Sequence, residues 1–423
     1  MRRKMLGAVS LAASLSLVLA ACGGGGDDGS GEGDADGKIT LSVATFNEFG
    51  FEELFKQYES ENENITIKHV QAATTDEARQ NLMTGLAGGA GLADIEAAEV
   101  AWFAELLEYE DSFVDLTDPD LEGRWLDWKV EAATAPSGKI IGYGTDIGPE
   151  AMCYRADLFE QAGLPTDRDE VAELLDGDWD TYFEVGQEFT EATGIPWYDG
   201  AIGTFNGMVQ QLENPYEIDG EPVPLDQNTD VKAIYDMLVD NQDISAGLGQ
   251  WSEDWTASFQ GDGFATMLCP PWLTGVIEGN AAGVEGWDIA NVFPGGGGNW
   301  GGSYLLVPEQ GDHTEEAAKL AAWLTAPEQQ VKAFEAIGSF PSTNDALTDE
   351  NLLAYEDEFF NNAPSGEIFS DRAQAIEVQP TYGPNFFLIN TVVADAITRW
   401  DVEGGDPSSS WDQALTEFKE AGL

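Results

Sequence analysis

KIIGYGTDIGPEAMCYR, residues 139–155, reads as extended along nearly its whole length, with no helix between its halves. A strand that leaves one packed layer of structure and enters another has this form. On its N-terminal side the chain alternates. ITLSVATF (39–46) and ITIKHVQA (65–72) are rich in β-formers, whereas GFEELFKQYESEN (50–62) carries Phe51, Leu54, Phe55 and Tyr58 at helical spacing. DEARQNLMTGLAGG (76–89) predicts a second helix ended by glycines. This rhythm predicts an α/β fold with a parallel sheet and helices on both faces. On the C-terminal side helices dominate to about Leu238 and resume at WSEDWTASFQ (251–260). GFATMLC (263–269), WDIANVFP (287–294) and SYLLVPE (303–309) predict short strands, Thr314 to Ile337 helices, and the tail after FPSTN helix to the end. About 385 residues lie beyond the N-terminal segments, more than one core usually holds, so two lobes are expected.

The N-terminus, MRRKMLGAVSLAASLSLVLAAC, has a basic start and an apolar run too short for a permanent membrane span. Residues 1–21 are expected to be a signal peptide. Leu19-Ala20-Ala21-Cys22 resembles the lipobox of bacterial lipoproteins, which implies lipidation at Cys22 and anchoring to the outer face of the cell membrane. Residues 22–37, almost all Gly, Asp, Glu and Ser, predict a flexible tether.

Eighteen basic against 78 acidic residues give a net charge of −60, which excludes nucleic acid and anionic lipid surfaces as partners. The acidity reads as a surface suited to high external salt, with a general solubility device as the alternative. Asp118-Pro-Asp120-Leu-Glu122-Gly123 opens like a calcium loop, but Lys129 stands where a bidentate Glu is required. Gly296-x-Gly298-x-x-Gly301 matches a dinucleotide fingerprint on paper, yet SYLLV behind it predicts a strand rather than the helix that would hold a pyrophosphate. No metal and no organic cofactor is expected.

Cys153 and Cys269 remain once Cys22 is set aside. A nucleophilic cysteine would want a histidine, and the chain has only His69 and His313. A zinc site would want four N or S ligands. An even pair in an exported chain predicts a disulfide.

Four stretches together resemble the maltose-binding-protein-like solute-binding lipoproteins of ABC sugar importers, closest in look to actinobacterial cellobiose or xylobiose receptors. They are ATFNEFG (44–50), GYGTDIGPEAMCYRADLFEQAGLP (142–165), GFATMLCPPW (263–272), and WGGSYLLVPE (300–309) with AAWLTAPEQQ (321–330). The resemblance implies a two-lobed periplasmic-binding-protein-like fold with extended interlobe crossings near Ile147, Gly298 and Phe340. It places the first lobe at 38–147 plus 299–339 and the second at 148–298 plus 340–423. It further implies an oligosaccharide in the interlobe cleft and hinge closure over it. The partners would be ABC permease subunits with a cytoplasmic ATPase behind them, and the receptor a monomer.

Sugars offer apolar C–H faces and a rim of hydroxyls, so their sites combine flat aromatics with carboxylates and amides. With 13 Trp, 11 Tyr and 21 Phe the chain is suited to this. The resemblance matches Trp272, held on a stiff turn behind Pro270 and Pro271, to a stacking tryptophan. Trp300 sits on a glycine-flanked crossing. Tyr382, Asn385 and Phe386, in PTYGPNFFLIN, fall where the family places an aromatic over the cleft. Asn47 and Glu48 follow the first strand at its carboxyl end, where open α/β sheets bind ligands. Glu99 and Asp146 occupy comparable family positions, while Asp94 is expected to cap or support. The residues around Asn47 are not those of maltose binders. A receptor for peptides or compatible solutes would share the fold. A secreted glycoside-active enzyme is the rival from another class, although no nucleophile elbow or HExxH motif is present.

Overall fold

The structure, a computed structural model, describes residues 37–423. The expected signal peptide, the Cys22 lipidation and nearly all of the tether lie outside the described residues.

The alternation read from the sequence is present. β1 (Ile39–Phe46), α1 (Glu52–Glu61), β2 (Ile65–Ala72), α2 (Thr75–Gly88), β3 (Ile95–Glu99) and α3 (Val100–Leu106) follow one another. β1 buries Leu41 and Val43, and α1 turns Leu54, Phe55 and Tyr58 inward, as their spacing requires. The Thr74 side chain caps α2 by accepting from the Glu77 N–H, and left-handed Gly89 ends it. Asp94 supports β1, its carboxylate accepting from both the N–H and the hydroxyl of Ser42 at 2.7 and 2.6 Å.

After the short helix α4 (Asp127–Ala132) comes the extended run, divided into β4 (Tyr143–Gly144), β5 (Asp146–Ile147) and β6 (Ala151–Arg155). Helix α5 (Ala201–Val209) and a small hairpin of β7 (Glu217–Ile218) with β8 (Glu221–Pro222) follow. Then come α6 (Glu253–Ser258), β9 (Thr266–Cys269), α7 (Pro271–Asn280), β10 (Trp287–Ala290), β11 (Ser303–Leu306), α8 (Pro327–Ile337), β12 (Phe340–Pro341), α9 (Phe386–Asp401) and α10 (Pro407–Glu420).

The first sheet has the order β2-β1-β3-β11-β4. β1 runs parallel to β2 and β3, but β11 is antiparallel to β3 and β4. The expected parallel sheet is therefore mixed. β11 is not reached through a βαβ crossover from β3; it returns after the second sheet has been built, and so enters reversed. The second sheet, β10-β6-β9, is wholly antiparallel. Between the sheets, β5 pairs with β12, and Pro149 bridges Asn299.

The strand after the glycine gap excludes the dinucleotide fingerprint, because β11 stands where a helix would be needed. The expectation of helix from FPSTN to the end fails over 354–364, where Asp357 bridges Ala363, and again over 375–385. Pro380 and Pro384 there cannot donate to a helical ladder.

Three hydrophobic clusters hold the fold. One lies under the first sheet, a second joins α5 and α9 to β6, and a third surrounds Cys153 and Cys269 with Trp255, Trp287 and Phe334. Cys153 and Cys269 are disulfide-bonded across β6 and β9, with Cα atoms 5.7 Å apart and a sequence separation of 116.

Candidate functional site

Three tryptophans meet beside the crossings. Pro270 caps α7 and Pro271 is its first residue, so the chain turns sharply and Trp272 stands in its first turn. The Trp272 indole N–H donates to the Trp300 carbonyl at 3.0 Å, and the two rings meet edge to face with centroids 5.4 Å apart. Trp251 lies nearly parallel to Trp272, 19° between planes and 6.3 Å between centroids. Gly148 makes this approach possible. A Cβ there would collide with the Trp300 carbonyl oxygen and stand 3.2 Å from the Trp272 indole nitrogen.

A polar group adjoins the tryptophans along the same crossing. The Asp146 carboxylate accepts from the Ser303 N–H at 2.8 Å and from the Thr145 hydroxyl at 2.6 Å. Glu99 ends β3 opposite Ser303 and caps α3 through the Ala101 N–H at 2.9 Å. Lys129, from α4, is only 1 % exposed. Its ammonium sits 3.9 Å above the Tyr304 ring and has no hydrogen-bond partner among the described residues. Gly302, at φ +108°, leaves room for it: a Cβ there would stand 3.0 Å from Nζ.

The electrostatics follow from burial. Desolvation lowers the Lys129 ammonium to about 8, although Asp146 and Glu99 favour its charged form. Desolvation raises Glu99 to about 7 and also raises Asp146, against the pull of Lys129. Glu150, the residue before β6, is fully buried, and neither carboxyl oxygen has a partner among the described residues. Burial alone drives it well above the usual carboxylate range, which favours its protonated form.

Glu96, three residues before Glu99 on β3, is raised to about 7 by the same desolvation. Glu96 and Glu99 thus bind protons more tightly in the folded chain than in the unfolded one. Their contribution is complete below about pH 4.5 and is lost as pH rises toward 7, at up to about 1.4 kcal/mol per pH unit for the more buried Glu96. Glu99→Gln is accordingly expected to flatten the fall of stability between pH 4.5 and 7. Urea unfolding across that range checks this, and an unchanged profile would remove Glu99 from the account.

Tyr382 closes the polar group from the other side. It packs against both the first-sheet core and the core of α5 and α9, and its hydroxyl donates to the Gln210 side chain at 2.5 Å. Burial raises its pKa, with Glu99, Tyr304 and Glu150 all near enough to add to the effect. Phe386 is 2 % exposed, packed on Tyr216 and Tyr382, and so supports Tyr382 from the core instead of facing outward. The Asn385 amide is engaged by Glu217, to which it donates at 2.9 Å. Asn47 and Glu48 are exposed past the end of β1, both bonded by the Gln71 amide. Where α2 approaches α9, the Arg79 guanidinium lies 4.9 Å from the Phe387 ring and pairs with Glu105 at 2.6 Å. An open hollow of about 670 Å³ adjoins this pair, lined by Asp76, Gln80, Met83 and Thr84.

The structure therefore brings Glu99, Asp146, Trp272, Trp300 and Tyr382 into one region and leaves Asn47 and Glu48 on its outer side. Sequence reasoning missed Lys129, Glu150, Tyr304 and Trp251. Among the described residues no cluster of His, Cys, Asp and Glu could hold a metal ion, and no helix is long and apolar enough to cross a membrane.

Comparison with known proteins bears on this arrangement. Residues 53–360 match the family described as bacterial extracellular solute-binding protein. An arabinooligosaccharide-binding protein of Bacillus subtilis (strain 168) is 27% identical over 417 residues, covering 91% of this chain and 93% of that protein. A crystal structure of an extracellular solute-binding protein of family 1 is 49% identical, covering 91% of this chain and all of that one, with a TM-score of 0.83. The ABC transporter associated binding protein of B. animalis subsp. lactis Bl-04, in complex with beta-1,6-galactobiose, shares the two-lobed fold at 17% identity and a TM-score of 0.75. That match covers 90% of this chain and 97% of that one.

Proposed function

Because the chain belongs to the bacterial extracellular solute-binding protein family, we propose that it captures a neutral oligosaccharide between its lobes and delivers it to an ABC permease. The observation that carries this reading is the meeting of tryptophan faces with buried polar groups that lack protein partners. Trp272 and Trp300 offer apolar planes to the C–H face of a sugar. Lys129 can only donate, the Glu99 carboxylate accepts, and Glu150, whose carboxyl oxygens have no partner among the described residues, accepts and when protonated also donates. Sugar hydroxyls answer both kinds of group. The arabinooligosaccharide-binding relative supports the same ligand class.

In this reading Glu99, Asp146, Trp272, Trp300 and Tyr382 contact the ligand, with Asn47 and Glu48 at its outer end. Asn385 and Phe386 position Tyr382. The lobes comprise 38–147 plus 299–339 and 148–298 plus 340–423. The short β5–β12 pair and the Pro149–Asn299 bridge act as the hinge on which they close. The protein is a non-catalytic monomer, held at the outer face of the membrane by a lipid on Cys22. Its permease works with an ATPase on the far side.

Calorimetry with arabino-, xylo-, cello- and malto-oligosaccharides tests the reading. Micromolar or tighter binding to one class, without release of reducing sugar, is expected. No binding to any class, or hydrolysis of the ligand, would overturn it.

A further inference from the structure

The small hairpin of β7 and β8 takes no part in the reading above, yet it sets a carboxylate against the segment that carries Tyr382. Glu217, on β7, is 2 % exposed. Its two oxygens accept from the Asn385 N–H at 3.3 and 3.2 Å, and one of them also accepts from the Asn385 side-chain amide at 2.9 Å. Asn385 stands immediately before α9, and its own side chain makes no capping bond to that helix. In many helices an acid in the first turn reaches back to the N–H of the capping residue. Here Glu217 does this from a distant part of the chain, and it brings a negative charge to the positive end of the helix.

The fit excludes a side chain at Gly383. A Cβ there would stand 2.1 Å from one Glu217 carboxylate oxygen and 2.7 Å from the other. The Gly383 backbone is not left-handed, so glycine supplies space at this position and not a special conformation. Three more bonds join the same two segments. The Tyr382 hydroxyl donates to Gln210, the Thr381 N–H to the Glu213 carbonyl at 2.8 Å, and the Tyr216 hydroxyl to the Asn390 side chain at 2.8 Å. Residues 210–217 thus cradle 381–390, and among these bonds only those to Glu217 carry charge. Burial, and then the like charge of Glu108 after α3, both work against that charge. The start of a helix can be held by a neutral cap at lower cost. What this carboxylate adds is a firm hold three residues from Tyr382, in a stretch that has no regular structure of its own.

We propose that Glu217 is a positioning residue for ligand capture: by holding Asn385, with Gly383 pressed against its carboxylate, it fixes where the Tyr382 ring stands in the site. This rests on the oligosaccharide reading and deepens it, since Glu217 acts through Tyr382 and touches no ligand. A glutamine at 217 keeps the shape but turns one acceptor into a donor that faces other donors.

Amide hydrogen exchange on the ligand-free protein tests the hold, and calorimetry with the tightest-binding oligosaccharide tests its purpose. Glu217→Gln removes the charge, and Gly383→Ala pushes the carboxylate away from the other side. Each is expected to speed exchange over 381–390 and to weaken binding roughly ten-fold, as the loss of a charge-assisted hydrogen bond requires. In a Tyr382→Ala background, Glu217→Gln should cost less than about two-fold more, because no ring is left to position. Losses that multiply in the double variant would overturn the proposal, since Glu217 would then act independently of Tyr382. Faster exchange with unchanged affinity in Glu217→Gln and Gly383→Ala would leave a structural anchor and sink the positioning role. Unchanged exchange would remove the anchor as well. A wild type that binds no oligosaccharide would overturn the oligosaccharide reading and this role with it, whereas a binding wild type matched by its variants counts against the role alone.

Discussion

Replacing Cys153 and Cys269 together with serine is expected to lower the free energy of unfolding by roughly 2–5 kcal/mol. The bond closes a loop of 116 residues. Confining so long a loop in the unfolded chain is worth up to about 5 kcal/mol on the chain-entropy account. The cysteines are buried in the third cluster, among Trp255, Phe259 and Trp287. Serine there also puts two hydroxyls among apolar rings, which adds to the loss. The double variant is the informative one, since a single replacement leaves a free thiol. Denaturant unfolding with and without reductant separates the two contributions. Reductant should shift the wild type and leave the double variant unmoved, and a wild type insensitive to complete reduction would remove the loop-closure account.

The second large effect concerns ligand binding. Trp272→Ala is expected to weaken binding of the preferred oligosaccharide by about 2 kcal/mol, roughly thirty-fold in Kd, from the apolar face it withdraws. The substitution also removes the donor to the Trp300 carbonyl and the edge on which Trp300 rests. Trp272→Phe keeps a flat face without the donor, and so should recover part of the affinity. Calorimetry on the three proteins, with melting temperatures alongside, distinguishes the cases. If phenylalanine binds no better than alanine, the indole acts through its hydrogen bond and the stacking role is wrong.

Much of this was legible in the sequence because the signals were local. The alternation from 39 to 89 carried its own periodicity, and an even pair of cysteines in an exported chain had one economical explanation. Trp272 stood behind two prolines that fix a helix start, and family resemblance pointed to the same residue. The direction of β11 was not legible, because it depends on where the chain has been before it returns. Lys129 was also hidden. In WLDWKVEA it looks like an ordinary surface lysine on an amphipathic turn. Only the side-chain-free positions Gly144 and Gly302, supplied from distant parts of the chain, make room to bury it. Glu150 was one acid among 78, and its isolation comes from Gly207, Phe293 and Gly298 closing around it. Trp251 followed a Gly-Leu-Gly-Gln run that gave no sign of which way its ring would face.

The interleaving of the two sheets has a consequence for the order in which the chain is made. β11, which sits between β3 and β4, spans 303–306, and the core shared by β6 and α5 is completed by α9 and by Trp411 and Phe418 of α10. A growing chain that has reached residue 300 thus holds neither a complete first sheet nor a complete second core. Domains that are contiguous in sequence fold one after another during synthesis; this chain cannot, since its last forty residues are structural members of its largest core. For a protein of an extracellular family, neither core is complete until nearly all of the chain exists, and a chain without a closed core is the kind that can be threaded through a membrane.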